Sequence, residues 1–219
     1  HIPYGGEPLE SGCRYYWQAR VWDRQNEVSR WSEPALWQMG LLDPAEWQAQ
    51  WIGLDVPYEE PRDDRRRLSA RLLRREIELA KPVAQATVFL SGLGFSELYI
   101  NGQRVGDRIM DPTPSNCDRR VPYVGYDVTG QLREGPNALG VILGNGRFFA
   151  PRVVRPAPTP SFGFPKMLLH MDVLYADGSR ETFVSDGAWK ITDQGPIRAN
   201  NEFDGEEYDA RMEQPGWND

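Results

Sequence analysis

Between residue 68 and the end of the chain, short runs of alternating apolar and polar residues follow one another: LLRREIELA, QATVFLSGLG, FSELYING, VPYVGYDVT, NALGVILGNG, KMLLHMDVLYADG, ETFVSDGAW and IRANNEF. A period of two sends successive side chains to opposite faces of an extended strand, so each run can bury one face and wet the other. Gly, Pro, Asn and Asp separate the runs at the spacing of a β-sandwich. Two pairs, Asn101-Gly102 and Asp177-Gly178, suit the positive backbone torsions of tight hairpins. Helical signal is confined to VTGQLREG, 128–135, a single turn with Thr129 as its cap and Gly135 as its stop. The pattern predicts an all-β sandwich.

An earlier hairpin is expected from CRYYWQARVWD (13–23) and PALWQMGLL (34–42), joined by the polar RQNEVSRWSE. The stretch 43–67 reads as a linker between this region, 1–42, and the sandwich, 68–219. The proline-rich stretch 148–164 has no periodicity and is expected as a long irregular loop. Because the chain starts without Met and runs almost at once into a strand, it reads as a fragment of a longer polypeptide.

Composition excludes several classes of function. With a net charge of -7, the chain lacks the basic surface that tracks phosphates, and no nucleic-acid partner is expected. The one basic run, RRRLSARLLRR (65–75), reads as a solvated edge. No apolar run approaches the roughly 18 residues of a membrane span and no signal peptide opens the chain, so a soluble protein is expected, its compartment, cytoplasmic or secreted, left open. Cys13 and Cys117 have no metal-type spacing and are expected as thiols rather than a disulfide. Of two histidines, His170 sits in an alternating strand and reads as a satisfied structural residue.

The densest chemistry lies in NEFDGEEYDAR, where five carboxylates, Glu202, Asp204, Glu206, Glu207 and Asp209, fall within eight residues and an arginine, Arg211, closes the run. Asp204 and Glu206, two apart, would stand about 7 Å apart on one strand face. A glycosidase's acid pair is about 5 to 9.5 Å apart, so spacing alone admits catalysis. However, Gly205 between them suggests a turn, and Arg211 is placed to clamp Asp209 or Glu207. Sugars are held by planar acceptors and donors beside an aromatic face. Glu206 and Asp209 supply acceptors. Asn145, in the Gly-flanked LGNG turn, supplies an amide oxygen, and Arg147 and Phe148 supply a donor and a ring. A second irregular loop, with Asp111, Thr113 and Asp118 before Tyr123, is expected at the same edge.

Four segments in order carry a family resemblance: WIG (51–53), LYINGQRVGD (98–107), YDVTGQLREGPNALGVILGNGRFF (126–149) and GEEYDARMEQPGW (205–217). They resemble the N-terminal β-sandwich domain of bacterial α-L-rhamnosidases. The hairpin in front, with its Trp31-Ser32 step, resembles the last strands of a fibronectin type III domain. The resemblance implies a jelly-roll accessory module of a multidomain glycoside hydrolase, its catalytic residues in an (α/α)6 barrel that this chain lacks. It also implies L-rhamnose or a rhamnosyl glycan as ligand, possible use of calcium with Asn145 as the nominated ligand, and the barrel of the same polypeptide as partner. Sugar binding, a purely structural role and independent hydrolase activity stay open at this point. Where the family's LGNG turn is usually followed by an aromatic residue, this chain has Arg147.

Overall fold

The computed structural model describes residues 3–55, 67–152, 159 and 161–219. The chain divides into two compact units, His1–Gln48 and Ala49–Asp219.

In the first unit β1 (Arg14–Trp17) pairs antiparallel with β2 (Ala35–Gln38), setting Tyr15 opposite Trp37 and Tyr16 opposite Leu36. Alternation puts Tyr15 and Trp37 on one face, where their rings stack at 5.5 Å. Beyond β1 the ribbon continues through paired bonds, Ser32 N–H to Ala19 O at 2.8 Å and Ser29 N–H to Val21 O at 2.9 Å, which the two serine hydroxyls return. Ser32 Oγ accepts from Ala19 N–H at 3.0 Å, Ser29 Oγ accepts from Val21 N–H at 3.0 Å, and Trp22 bridges Val28. The Arg20 guanidinium lies over the rings of Trp22 and Trp31 at 5.0 and 4.6 Å. The stretch expected as a linker is not uniform. Pro44–Glu46 forms a 3-10 turn in this unit, closed by a capping box between Asp43 and Glu46. Further on, β3 (Ile52–Gly53) belongs to a sheet of the second unit.

The second unit is a jelly-roll β-sandwich. One sheet runs β11 (Arg180–Val184), β10 (Lys166–Tyr175), β5 (Val83–Gly92), β8 (Val124–Asp127), with β3 also on β10. The other runs β12 (Lys190–Thr192), β4 (Arg71–Leu79), β9 (Gly135–Gly144), β6 (Phe95–Ile100), β7 (Gln103–Arg104). A separate hairpin joins β13 (Ile197–Asn201) to β14 (Gly205–Tyr208). The strands pair antiparallel throughout, and the inward residues of both sheets form one core. Leu73, Ile77 and Leu79 of β4 and Leu139, Val141 and Leu143 of β9 meet Val88 and Leu90 of β5 and Met167, Leu169 and Met171 of β10.

The eight strand runs of the second unit are present. Asn101 (φ 50) and Gly102 (φ 78) take the expected positive torsions between β6 and β7. At the second tight turn only Gly178 does (φ 84), and Asp177 instead accepts from Ser179 N–H at 3.0 Å. Two expectations are corrected. The helical turn is a 3-10 turn, Thr129–Gln131, without a side-chain cap, and Gly135 opens β9 rather than ending a helix. Thr129 turns its hydroxyl to Asp127 and accepts from Ala86 N–H at 3.0 Å, which ties the turn to β5. The basic run is not a solvated edge, because β4 lies between β12 and β9 and Arg71 is buried at inward parity; residues 65–66 lie outside the described residues. The irregular loop falls partly outside them too. In its described part Phe148 stacks on Phe162 at 5.9 Å and Phe149 on Phe164 at 5.8 Å.

The outward side of β9 carries small residues, and the C-terminal segment lies on it. Gly140 is close enough to Trp217 and Asn218 that a Cβ there would stand 2.8 Å from Asn218 Cβ. Gly102 N–H donates to Asn218 O at 2.8 Å, and Trp217 meets the ring of Tyr99 edge-on at 5.8 Å.

Candidate functional site

The acidic run is a β-hairpin. Asn201 Oδ1 accepts from the N–H groups of Phe203 and Asp204, each at 2.8 Å, and Gly205 at φ 79 reverses the chain. Asp204 therefore sits in the turn while Glu206 sits in β14 opposite Asn200. The two do not share a strand face as a regular strand would have given. Residues 205–208, expected as part of a turn, form a strand because Ile197–Asn201 offers them a backbone ladder.

At the base of this hairpin lies Asn145, which is 1% exposed. Its amide N–H groups donate to Leu68 O at 2.6 Å and Asn200 O at 2.9 Å, and its backbone N–H donates to Asn200 Oδ1 at 2.6 Å. The amide oxygen, nominated for a sugar or a cation, accepts from Arg71 Nη1 at 3.3 Å. Asn145 thus fastens the end of β9 to β13 and to the chain leading into β4. Glu206 lies on the same side of the module, linked to Asn145 through its cross-strand partner Asn200, and is exposed. The cavity at Asn145, between Arg67, Phe149, Pro151 and Ala199, has a volume of about 10 Å³. That is room for about one water molecule.

Arg147 and Phe148 follow at once, without forming an open platform. Arg147 Nε lies 3.2 Å from Glu202 Oε1 and its guanidinium lies over Phe162 and Phe203, both at 5.6 Å. Phe148 is buried against Phe162. Phe203, at the hairpin tip, is 44% exposed and also faces Arg152 at 5.0 Å. Asp209 stands at the other end of β14. It receives Arg211 Nε at 2.8 Å and Nη2 at 2.7 Å, and this pairing lowers its carboxyl pKa to about 2. Glu207 pairs instead with Arg67. Tyr208 is 54% exposed. Its hydroxyl donates to Glu213 Oε1 at 2.8 Å, which raises its pKa.

Of the second loop, Asp111 is buried and its carbonyl accepts from Ser96 N–H at 2.7 Å. Ser91 Oγ donates to Pro122 O at 2.8 Å, and Tyr123 meets Phe89 edge-on at 5.9 Å, so this stretch is pinned along β5. His170 Nε2 lies 2.9 Å from Asp172 Oδ1. Burial pushes the Asp172 carboxyl up, but its bonds to His170 and Thr182 outweigh that and hold it below the usual carboxylate range.

Sequence reasoning missed Arg71, Asn200 and Trp217. Parity along β4 marks Arg71 as inward, a signal hidden by the arginines around it. A larger cleft, about 400 Å³, opens between the hairpin and the C-terminal segment. Its floor is Leu72 and Ile142, and its walls carry Tyr208, Glu213 and Trp217.

The donor set at Asn145 does not fit calcium. Calcium takes six to eight oxygens, usually with carboxylates among them. Here the nominated oxygen faces a guanidinium, and among the described residues no group of three or more His, Cys, Asp or Glu side chains is placed to hold a metal ion.

Comparison with known proteins places these features. The α-L-rhamnosidase N-terminal domain family matches residues 81–219, and the Rha78A-like, N-terminal immunoglobulin domain family matches residues 1–43. The second match names an immunoglobulin-type module where the sequence suggested a fibronectin type III-like one. Two α-L-rhamnosidases of Formosa agariphila are 39% and 34% identical over 99% of this chain, which spans 25% and 24% of their lengths. The chain thus spans about a quarter of the curated relatives it matches. Among solved structures, an α-L-rhamnosidase from Dictyoglumus thermophilum is 37% identical with a TM-score of 0.82, covering 99% of this chain and 24% of that one. One from Aspergillus terreus is 33% identical with a TM-score of 0.86, covering 99% and 25%.

Proposed function

Because the chain belongs to the α-L-rhamnosidase N-terminal domain family, we propose that it is a non-catalytic accessory region of an α-L-rhamnosidase, an architectural module that docks on the catalytic barrel of the same polypeptide. The observation that carries this reading is the volume of about 10 Å³ at Asn145. A pocket for a small ligand is typically about 300–1,000 Å³. Of the residues nominated for ligand contact, Asn145, Arg147 and Asp209 have partners within the module. Glycoside hydrolysis needs two carboxyl groups facing each other across room for a sugar ring, and Asp204 and Glu206 belong to different features of one hairpin.

The test pairs this chain with the separately expressed remainder of its polypeptide. Sedimentation velocity should show a one-to-one complex, and the chain alone should release no nitrophenol from an aryl rhamnoside. Turnover by the chain alone that Glu206→Gln abolishes overturns the non-catalytic reading. Failure of the two parts to associate overturns the docking one.

A second reading, recognition of a rhamnosyl glycan, is favoured by the cleft of about 400 Å³ beside Trp217. Its volume suits a small glycan, and an indole and a phenol flank a carboxylate. L-Rhamnose should then change tryptophan emission in the wild type and not in Trp217→Ala. An unchanged wild-type spectrum rejects this reading.

A further inference from the structure

Calcium is implied by the family resemblance, yet the geometry at Asn145 opposes it for a specific reason. The Arg71 side chain is 0% exposed. Its guanidinium gathers oxygens from three separate segments. These are the carbonyl of Ser69 before β4, the carbonyl of Leu54 at 3.4 Å just after β3, and Asn145 Oδ1 at 3.3 Å at the end of β9. Backbone carbonyls and an amide oxygen are hard, neutral donors of the kind that calcium also takes. A guanidinium satisfies them with a planar fork of five N–H donors and a charge that pH does not remove.

We infer that Arg71 is the fixed internal cation of this rim, making the cross-links that a bound metal ion would otherwise make, so that the rim assembles without calcium. A divalent ion at Asn145 Oδ1 would stand beside a buried positive charge, which repels it. The tie extends further, because Asn145 in turn holds β13 through Asn200. Arg71 therefore governs the placement of the hairpin that carries Phe203 and Glu206, whichever partner that rim meets. The inference is independent of the docking reading.

Thermal unfolding of the whole chain in calcium chloride and in EDTA tests it. The wild-type melting temperature should be the same in both. Arg71→Met, which keeps bulk and loses the charge and the fork, should melt lower by roughly 10 °C, the scale expected for breaking a buried charged network in a unit of this size. Arg71→Lys should fall between the two, since it keeps a positive charge. A calcium-dependent rise in the wild type that Asn145→Ala abolishes overturns the inference, and so does an Arg71→Met chain that melts with the wild type. Should Arg71→Met fail to fold, the wild-type calcium comparison still decides.

Discussion

Replacing Gly140 by alanine sets two physical effects against each other, and the structure says which one wins. Gly140 lies in the middle of β9, where a glycine costs backbone entropy and packs nothing. Conformational preference alone makes Gly140→Ala stabilising, by about 0.5–1 kcal/mol. The structure reverses that sign. A Cβ at Gly140 would stand 2.8 Å from Asn218 Cβ and 3.1 and 3.2 Å from Cζ3 and Cη2 of Trp217. Neither the Asn218 backbone nor the indole can swing aside while Gly102 N–H holds Asn218 O at 2.8 Å and Tyr99 abuts Trp217. The C-terminal segment must lift off the sheet. That forfeits a backbone hydrogen bond of about 1 kcal/mol and an aromatic edge contact of about 1 kcal/mol, plus part of the apolar burial of the indole, about 1 kcal/mol more. Against the gain from alanine, the net loss is about 2 kcal/mol. In a unit of this size it lowers the melting temperature by about 4–8 °C. Differential scanning calorimetry measures the shift, and a red shift of tryptophan emission reports the release of Trp217. A variant that melts at or above the wild type, with unchanged emission, refutes the placement of the C-terminal segment on β9.

Gly94→Ala should be worse, about 3 kcal/mol or more in urea unfolding, because Gly94 has φ 127 and a Cβ there would meet the Gly144 carbonyl oxygen at 2.0 Å; a loss below about 1 kcal/mol contradicts that packing. Burial, reinforced by hydrogen bonds to Glu97 and Glu181, raises the pKa values of Tyr99 and Tyr175 to about 12. An unfolded tyrosine ionises near 10, so between about pH 10 and 12 the folded state binds more protons and stability falls as pH rises; phenolate absorbance should show late-titrating tyrosines, Tyr99 and Tyr175 among them, and a single common transition near pH 10 excludes this. Carbon-detected NMR should place Asp209 near pKa 2 and move it up toward the ordinary carboxylate range in Arg211→Ala, which removes the guanidinium and keeps the backbone N–H bond. An unmoved titration there means that the Arg211 pair does not persist in solution.

Much of this arrangement was legible in the sequence, for a physical reason. The strands of the sandwich follow from period-two alternation, since only that spacing buries one face of a pleated ribbon. Asn101-Gly102 named its own turn. Short edge strands were harder to see: β3, β7 and β12 have two or three residues each, too few to show a period. The acid-rich Gly205–Tyr208 reads as a turn in one dimension because nothing local shows that Ile197–Asn201 lies alongside. The candidate site suffered in the same way. Asn145 was recognised as a special amide at a tight turn. What it faces depends on Arg71, 74 residues away, and on Asn200.

By itself, then, the sequence determined the class of fold, the places where the chain reverses and the family to which those motifs belong. Periodicity and turn chemistry are local, and four ordered segments are a one-dimensional signal. Only the tertiary structure decided that Arg71 is interior, that Asn145 is bonded to Leu68, Asn200 and Arg71, and that Gly140 in β9 lies against the C-terminal segment. Those are matters of which distant groups exclude water from one another. A desolvated amide or guanidinium must find its partners wherever the fold brings them.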